Sequence, residues 1–446
     1  MVSVLSSFIS VLNAVGYWQH SNDQYNLLKH CGGMGPYVEG TGFGLSHELP
    51  ANTTVDQVYV FSRHGERFPT VSVAEELRAV YNKLKAAQVE EYKGPLAFVR
   101  DWEFYIPNDD CLEMETNTSR FSGLLDMENF GRAVRRKYGY LYKDETELPF
   151  FSAGQQRVVD SATSFAKGFF GSESEFDRLA HIHVIPEKAK QGANTLTSGR
   201  SCKPYNKHSN YDSGLKEFET QYLSQEADRL NSLSPGFDLN AQDVQRLLAY
   251  CPFELNYRGH SEVCQALSFD SFVGHEYSRD LELYYTKALH PFSFILGSLY
   301  VNATLTLFEQ GSDQLNQSLW FSFSHDTDLL YFMNALGILD HQATDLSLHH
   351  IDFARWFRTS ELIPMGARIV LERIKDSTGQ VYVRVLVNDA VIPIPKCTEG
   401  PGYSCPLAEL RKIFDSRLDG DTFASKCHVK SRRPWHLSFY WDWNTK

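Results

Sequence analysis

Residues 55–69 read VDQVYVFSRHGERFP, and this stretch organises the first part of the fold. Its opening residues are rich in β-branched and aromatic side chains, which predicts a buried strand over residues 55–62. The strand leads into a charged turn, RHGER, at residues 63–67, and a proline then breaks the chain. The sequence SVAE at residues 72–75 has the spacing of a capping box, so a helix is predicted from about residue 73 to residue 92.

Two later stretches repeat this plan of strand, turn and helix. Residues 148–153, LPFFSA, are strand-like, and apolar side chains recur at helical spacing after Arg157 in the turn that follows. Residues 319–323, LWFSF, precede Ser-His-Asp at 324–326 and another helical pattern. Ligands of parallel sheets collect at the carboxyl ends of the strands, so the three turns are expected around one hollow.

These units predict an α/β fold in which a mostly parallel sheet is flanked by helices and a smaller α-helical domain is inserted. Alternating valines next to the tetrapeptide DSTG at residues 376–379 predict a hairpin at an edge of the sheet. The predicted boundaries are residues 25–75, 120–190 and 290–446 for the α/β catalytic domain, 76–119 and 191–289 for a mainly helical cap domain, and 1–24 for an N-terminal arm or leader remnant.

The N-terminal residues 1–16, MVSVLSSFISVLNAVG, resemble the apolar core of a signal peptide but lack its basic start. We interpret them as a retained arm that packs on the body of the protein or on a neighbouring subunit of a homo-oligomer. A partly trimmed leader is the competing interpretation. No stretch of about 20 uninterrupted apolar residues occurs, so no membrane span is predicted.

The net charge of the chain excludes one class of binding partner. With 43 Lys and Arg against 55 Asp and Glu, the 446-residue chain has a net charge of −12. A nucleic-acid-binding surface needs clustered basic residues, so nucleic acid is excluded as a partner. Protonation of the 16 histidines in mild acid reverses the sign of the net charge, which suits an anionic substrate.

Eight cysteines and four Asn-x-Ser/Thr sequons point to the oxidising secretory route, and so to a protein secreted to the extracellular or cell-wall space. The even cysteine count fits four disulfides, with a set of buried free thiols as the alternative. Cys251 with Cys264 and Cys397 with Cys405 close short loops. The remaining cysteines need longer links whose pairing stays open: Cys31, Cys111, Cys202 and Cys427. The candidate glycosylation sites are Asn52, Asn117, Asn302 and Asn316.

Several segments together match one family pattern. Residues 63–69 have the form Arg-His-Gly-x-Arg-x-Pro, His325 and Asp326 form a His-Asp pair, SAGQQRVVDSATSFAKGF surrounds Arg157, and VRVLVND ends at Asp389. On these motifs the chain resembles the histidine acid phosphatases, in the branch of secreted yeast and fungal acid phosphatases and phytases. The matches run from about residue 32 to residue 427. The resemblance implies a phosphoglycerate-mutase-like fold and the hydrolysis of phosphomonoesters.

The resemblance also implies a role for each site residue. His64 is the implied nucleophile, which becomes a phosphohistidine, and Asp326 is the implied proton donor to the leaving alcohol. A planar guanidinium can donate two parallel hydrogen bonds to the oxygens of one phosphate group. The implied phosphate cradle consists of Arg63, Arg67, Arg157 and His325. Fixed positive charge around His64 disfavours its imidazolium form, and a bound phosphate disfavours the carboxylate form of Asp326. The scheme uses no metal and no other cofactor.

The substrate stays open between phytate, which is myo-inositol hexakisphosphate, and a broad range of phosphomonoesters. A selective phytase needs cations at the rim of the site beyond the three arginines, and conceivable contributors are Lys83, Lys85, Lys93 and Lys207. Glu66, in a variable slot of the motif, resembles the yeast acid phosphatases. A broad-specificity acid phosphatase with little phytate preference is therefore the alternative.

Three other interpretations account for less of the sequence. A mutase of the related Arg-His-Gly superfamily resembles the motif only as far as Gly65. A non-catalytic glycoprotein that binds polyanions has no need of both His64 and Asp326. The histidines of His181-Ile-His183 and His349-His350 could be imagined as metal ligands, but alternating strand histidines are more often structural.

Overall fold

A computed structural model describes residues 26–205 and 212–444, so the predicted arm at residues 1–24 lies outside the described residues. One sheet contains all the named strands. They are β1 (Thr53–Arg63), β2 (Leu148–Ala153), β3 (Ala180–Ile185), β4 (Leu319–Ser324), β5 (Arg368–Asp376), β6 (Val381–Val387), β7 (Ala390–Val391) and β8 (Cys405–Pro406).

Helices fill most of the sequence between the strands. They are α1 (Val71–Ala86), α2 (Gly123–Tyr138), α3 (Gln156–Phe170), α4 (Glu173–Leu179), α5 (Ser198–Ser201), α6 (Asp212–Leu233), α7 (Ala241–Arg258), α8 (Glu262–Ala266), α9 (Phe269–Leu283), α10 (Ser293–Leu315), α11 (Asp326–Leu336), α12 (Thr359–Leu362), α13 (Leu407–Leu418), α14 (Phe423–Lys426) and α15 (Phe439–Asp442). Short 3₁₀ turns lie at Leu27–His30, Gly94–Arg100, Asp109–Cys111, Gly139–Leu141, Ala189–Gln191, Ile338–His341 and Pro401–Tyr403, and a π turn lies at Tyr284–Ala288.

The sheet has a parallel half and an antiparallel half, in the order β3-β2-β4-β1-β5-β6-β7, with β8 also paired to β6. Strands β3, β2, β4 and β1 are mutually parallel. Strand β5 runs antiparallel to β1 and forms the predicted hairpin with β6. The prediction of an α/β fold is confirmed. Because β1, β2 and β4 are parallel neighbours, their carboxyl ends meet at one edge, as the motif positions require.

The main hydrophobic core lies around this sheet, and close helix packing supports it. Phe61 of β1, Phe150 of β2 and Phe321 of β4 are fully buried. Helices α2 and α3 approach each other at glycines, because a Cβ added at Gly168 would overlap the carbonyl oxygen of Glu128. A backbone contact of this kind limits how far apart the two helices can lie at the C-terminal end of α3.

A second hydrophobic cluster contains many buried residues from the segments predicted as the helical cap domain. It joins Leu77 of α1, Val99 of a 3₁₀ turn, and Leu247 and Phe253 of α7. Buried residues between 193 and 202, and between 277 and 288, pack instead with the cluster around the sheet. The predicted boundaries of the cap domain therefore stay a prediction.

The cysteines correct one prediction. Disulfides join Cys202 to Cys427, Cys251 to Cys264 and Cys397 to Cys405. The prediction that Cys31 and Cys111 are also disulfide-bonded is wrong, since both are free thiols. Each donates to an oxygen of its own turn: the Cys31 Sγ lies 3.4 Å from the Leu27 carbonyl oxygen, and the Cys111 Sγ lies 3.5 Å from the Asn108 Oδ1.

The surface and the helix ends bear on three other predictions. The four sequon asparagines, at positions 52, 117, 302 and 316, are exposed, and their glycosylation stays a prediction. The capping box at residues 72–75 is wrong, because α1 begins at Val71 after Thr70, which makes no side-chain cap bond. Within the described residues no single helix is long and apolar enough to cross a membrane, although α9 with its π turn and α10 together meet that criterion across a 74° bend.

Candidate active site

The sequence motifs converge because of the strand register. Arg63 lies opposite Ser324 in the β1–β4 pair, so the next residues, His64 and His325, stand side by side with ring centroids 5.8 Å apart. Helix α3 follows β2, the other neighbour of β4, and carries Arg157 in its first turn. A cavity of about 240 Å³ lies at this edge, and its lining includes His64, Arg67, Arg157, His325 and Asp326. Arg63 contacts the cavity through Asp326.

Main-chain bonds hold the turn that carries His64. The His64 N–H donates to the Ser324 carbonyl oxygen at 3.1 Å, and the Gly366 N–H donates to the His64 carbonyl oxygen at 2.8 Å. Gly65 has no room for a side chain, because an added Cβ would lie 2.8 Å from the Gly123 carbonyl oxygen. The turn is therefore clamped between β4 and the start of β5, and the glycine is a steric requirement.

The ring of His64 has a defined tautomer. Its Nδ1 lies 2.8 Å from the Gly65 carbonyl oxygen, and a carbonyl can only accept, so Nδ1 carries the hydrogen. In the neutral ring the lone pair is then on Nε2. Burial, followed by the charges of Arg63, Arg157, Arg67 and His325, lowers the pKa of His64 well below its usual value. The ring therefore stays neutral, with Nε2 available as a nucleophile, in mild acid.

Three guanidiniums surround this histidine. Arg63 donates from Nη1 to the carbonyl oxygens of Gly33 (2.6 Å) and Ile363 (2.5 Å). Arg67 donates from Nη1 to the Phe68 carbonyl oxygen at 2.8 Å, and the Arg157 Nη1 lies 3.4 Å from the Glu113 Oε2. The Nε atom of each arginine is buried without a hydrogen-bond partner among the described residues. Buried N–H donors need acceptors, and the oxygens of a phosphate group are suitable ones.

Asp326 faces the same arginines. Its Oδ2 lies 2.9 Å from the Arg63 Nη2, and its Oδ1 accepts from the Thr327 N–H at 2.8 Å. Burial alone would raise the pKa of Asp326. The charges of Arg63 and His325, together with the bond from the Thr327 N–H, outweigh burial and lower this pKa to about 2. Without a bound anion, Asp326 is therefore a carboxylate.

A buried network supports the turn from behind. The Ser161 Oγ accepts from the Gly65 N–H at 3.0 Å and donates to the Arg157 carbonyl oxygen at 2.9 Å, so it links the turn after β1 to α3. Ser161 also contacts the buried Glu115. Glu66, in the variable slot of the motif, accepts from the Tyr37 N–H at 2.7 Å. Burial raises the pKa of both glutamates, and the charge of Asp126 adds to the increase at Glu66.

The cavity also contains residues that the motifs did not mark. Arg200, Tyr205 and Lys287 line it, with the Lys287 Nζ 3.2 Å from the Tyr205 hydroxyl oxygen. Glu187, just after β3, accepts from His325 Nε2 at 3.0 Å. Only proximity in the fold identifies these residues, because each comes from a segment without a recognisable motif.

The lysines considered for the rim lie elsewhere. Lys83 pairs with Asp243 at 2.5 Å, Lys85 donates to the carbonyl oxygens of Val99 and Arg100, and Lys93 pairs with Glu91. None of these three lines the cavity. Lys207 lies outside the described residues.

A histidine with a lowered pKa thus stands among three guanidiniums at the carboxyl end of the parallel half of the sheet, an arrangement whose positive charge suits an anionic ligand. The sequence pattern of the Histidine phosphatase superfamily (branch 2) matches residues 54–388. Acid phosphatase PHO1 of Komagataella pastoris is 39% identical over 437 residues, which cover 96% of this chain and 92% of that protein. Phytase PHO112 of Candida albicans is 37% identical over 430 residues, with 95% and 92% covered.

A solved structure agrees with the sequence comparisons. The crystal structure of the phytase from D. castellii superposes with a TM-score of 0.90 at 35% identity, covering 95% of this chain and 92% of that one. The chain belongs to the histidine phosphatase superfamily, branch 2. Membership confirms the predicted fold class and the prediction of a phosphatase that acts on phosphate esters.

Proposed function

We propose that the protein is a secreted acid phosphomonoesterase that hydrolyses phytate through a phosphohistidine on His64. The observation that carries the proposal is that His64 and Asp326 line one cavity with Arg67 and Arg157, while Arg63 pairs with Asp326. The Nε–H groups of Arg63, Arg67 and Arg157 are buried and have no partner among the described residues. The names of the relatives, an acid phosphatase and two phytases, support the substrate class.

In the first step the His64 Nε2 attacks phosphorus and the bond to the alcohol oxygen breaks. The arginines neutralise the oxygens of the phosphoryl group as it transfers. A bound phosphate competes for Arg63, the partner of Asp326, and adds negative charge beside the carboxylate. Both effects raise the pKa of Asp326, so it binds a proton in mild acid and gives that proton to the leaving alcohol.

In the second step water attacks phosphorus and the bond to Nε2 breaks. Asp326, now a carboxylate, takes the proton of the water, and inorganic phosphate leaves. His64 returns to its neutral form with the lone pair on Nε2. The Gly65 carbonyl oxygen holds Nδ1–H throughout, so the ring keeps one orientation in both steps.

The choice of phytate rests on Arg200 and Lys287. They line the cavity that also holds His64, so phosphates on a substrate held at His64 can reach them. A simple phosphomonoester has no second phosphate to use these cations. The alternative is a broad-specificity acid phosphatase with little phytate preference. A comparison of kcat/KM for phytate with kcat/KM for p-nitrophenyl phosphate decides between the two functions.

Secretion rests on the covalent chemistry of the chain. Three disulfides are typical of an oxidising compartment, and the four exposed sequon asparagines are accessible to glycosylation. Recovery of enzyme activity from the culture medium or cell wall of the producing organism, with a mass that falls after enzymatic deglycosylation, is the expected result. Activity confined to the cytosol contradicts this part of the proposal.

Trapping of the intermediate tests the mechanism. Wild-type enzyme mixed with ³²P-labelled substrate and quenched in alkaline denaturant should carry label on His64, and His64→Ala should carry none. Asp326→Asn should lower kcat/KM for phytate by about 10²- to 10⁴-fold, because the alkoxide leaves without a proton. The loss for p-nitrophenyl phosphate should be smaller, since that leaving group needs little protonation. Label on another residue, or equal losses for both substrates, contradicts the mechanism.

A further inference from the structure

The two neighbouring histidines of the cavity have different partners. Nδ1 of His64 donates to an uncharged carbonyl, whereas Nε2 of His325 lies 3.0 Å from the Oε1 of Glu187. The Glu187 side chain is only 10% exposed. Its Oε1 also accepts from the Gln155 N–H at 3.0 Å, in the turn that leads to Arg157. Glu187 thus contacts two of the three turns that form the site.

The charge of Glu187 determines what the His325 ring can do. Burial alone would raise the pKa of Glu187, but the hydrogen bond and charge of His325, the Gln155 N–H and the charge of Arg200 lower it below its usual value. A carboxylate only accepts hydrogen bonds, so Nε2 of His325 carries a hydrogen. A neutral ring then has a lone pair on Nδ1, which repels phosphate oxygens. Only the doubly protonated ring has a second N–H to donate.

We propose that Glu187 is a positioning residue that keeps His325 doubly protonated, so that one histidine of the pair binds phosphate while its neutral neighbour attacks phosphorus. This inference rests on the proposed phosphatase function of the site. Among the arginines of the cavity, a protonated His325 is unfavourable unless a negative charge contacts it. The charge-assisted bond to Glu187 supplies that contact, whereas the ring of His64 forms no ion pair with a carboxylate in the part of the chain that the structure describes.

Other ionisable groups face this pair from each neighbouring element. The cations are Arg63 and Arg67 after β1, Arg157 in α3, Arg200 in α5 and Lys287 in the π turn. The acids are Asp326 and Asp328 in α11, and the remaining titratable groups are His64, Tyr205 and Tyr331. Burial raises the pKa of Asp328 to about 6, so Asp328 titrates in the range of interest. The effect of Glu187 on phosphate binding is therefore measured as the difference between the wild type and a Glu187 variant, because both proteins keep Asp328.

The test is the binding of inorganic phosphate, measured by calorimetry between about pH 3.5 and 6 in the wild type and in Glu187→Gln. The glutamine amide keeps an oxygen for the Gln155 N–H and His325 but removes the charge. Binding should be near wild type at the acid end, where solvent protons charge His325. It should weaken progressively toward pH 6, to about tenfold below wild type.

Glu147→Gln is the matched control. His181 Nε2 lies 3.1 Å from the Glu147 Oε2, so this is another Glu–His pair beside the same sheet, but it is exposed and outside the cavity lining. Its removal should leave phosphate binding unchanged at every pH. A loss in Glu187→Gln that is constant with pH means that Glu187 acts only as a hydrogen-bond acceptor, and overturns the inference. Unchanged binding also overturns it.

Nitrogen NMR of wild-type protein with ¹⁵N-labelled histidine rings gives a readout that needs no variant of Glu187 to fold. Both nitrogens of His325, assigned by loss of its signals in His325→Asn, should be protonated at pH 5. A neutral ring at that pH overturns the inference. Neither measurement uses turnover, so failure of the proposed hydrolysis and failure of the inference are distinguishable.

Discussion

Arg200 and Lys287 are the residues on which the proposed preference for phytate rests. Neither Arg200 nor Lys287 forms an ion pair with any described residue, and the Lys287 Nζ contacts the hydroxyl and the ring of Tyr205. Both side chains can therefore turn to a ligand without breaking a buried salt bridge. A cation without a salt bridge adds little to the stability of the fold, so its removal should weaken ligand binding and leave stability nearly unchanged.

Replacing both cations at once tests their role. In Arg200→Gln/Lys287→Gln, KM for phytate should rise about tenfold, because two phosphate contacts are lost. kcat/KM for p-nitrophenyl phosphate should change by less than about twofold, since the reacting phosphate is held elsewhere. Lys93→Gln, which removes a surface lysine paired with Glu91, is the control. Equal losses for the two substrates would show that the pair acts on the reaction centre.

Among individual residues, the sequence predicted those of the motifs but not the residues that contact them. His64, Arg67, Arg157, His325 and Asp326 are recognisable because strand and turn patterns are local. Glu187 is separated from His325 by 138 residues, and no local pattern links the two. Cations at the rim of the cavity could not be predicted either, because the sequence does not distinguish Lys287 from a lysine on a solvated helix face.

The elements fit together through a few backbone contacts. Helix α3 ends at Gly171 in the left-handed region, with a φ of 77°, and carries Gly168 where it meets α2. Strand–turn–helix units could be predicted because buried strands and amphipathic helices have distinct periods. The pairing of Cys202 with Cys427, across 225 residues, could not be predicted. The start of α1 was also misplaced, since the backbone bond from Ala74 N–H to Thr70 extends the helix beyond the expected cap.

The α2–α3 contact gives a prediction for stability. Gly168→Ala should lower the free energy of unfolding by about 3 kcal/mol, because the added methyl group overlaps the Glu128 carbonyl oxygen and the helices must separate. Gly139→Ala is the control, as its Cβ would meet only the flexible side chain of Arg135. Chemical denaturation of both variants measures the difference. Equal stability of the two would contradict the account of this packing.

The whole molecule combines an acidic surface with buried acids behind a cationic site. The chain has a net charge of −12, yet the charges of Arg63, Arg67 and Arg157 all act on His64. Burial raises the pKa of Glu66, Glu115 and Asp126. In the folded state these groups keep protons that the unfolded chain releases above about pH 4.5. The stability that they contribute is therefore complete in acid and is lost as the pH rises.

Glu66→Gln tests this linkage. The amide cannot ionise, so the difference in Tm between variant and wild type should grow in favour of the variant from pH 4.5 to pH 8, reaching about 2 °C or more. His64 contributes the opposite dependence, because its lowered pKa favours unfolding in acid, and it does so equally in both proteins. The exposed Glu39→Gln is the control. Parallel curves of Tm against pH for Glu66→Gln and wild type would contradict the prediction.

The clamp on His64 has a consequence for how such proteins diverge. The Ser324 carbonyl oxygen and the Gly366 N–H hold the turn, so neither bond depends on a side chain, although the φ of 71° at Gly366 favours glycine there. Mutations can therefore accumulate along the flanking strands while the reactive imidazole keeps its place. Over long evolutionary times, lineages are free to exchange the residues that select a substrate and still inherit the same reaction.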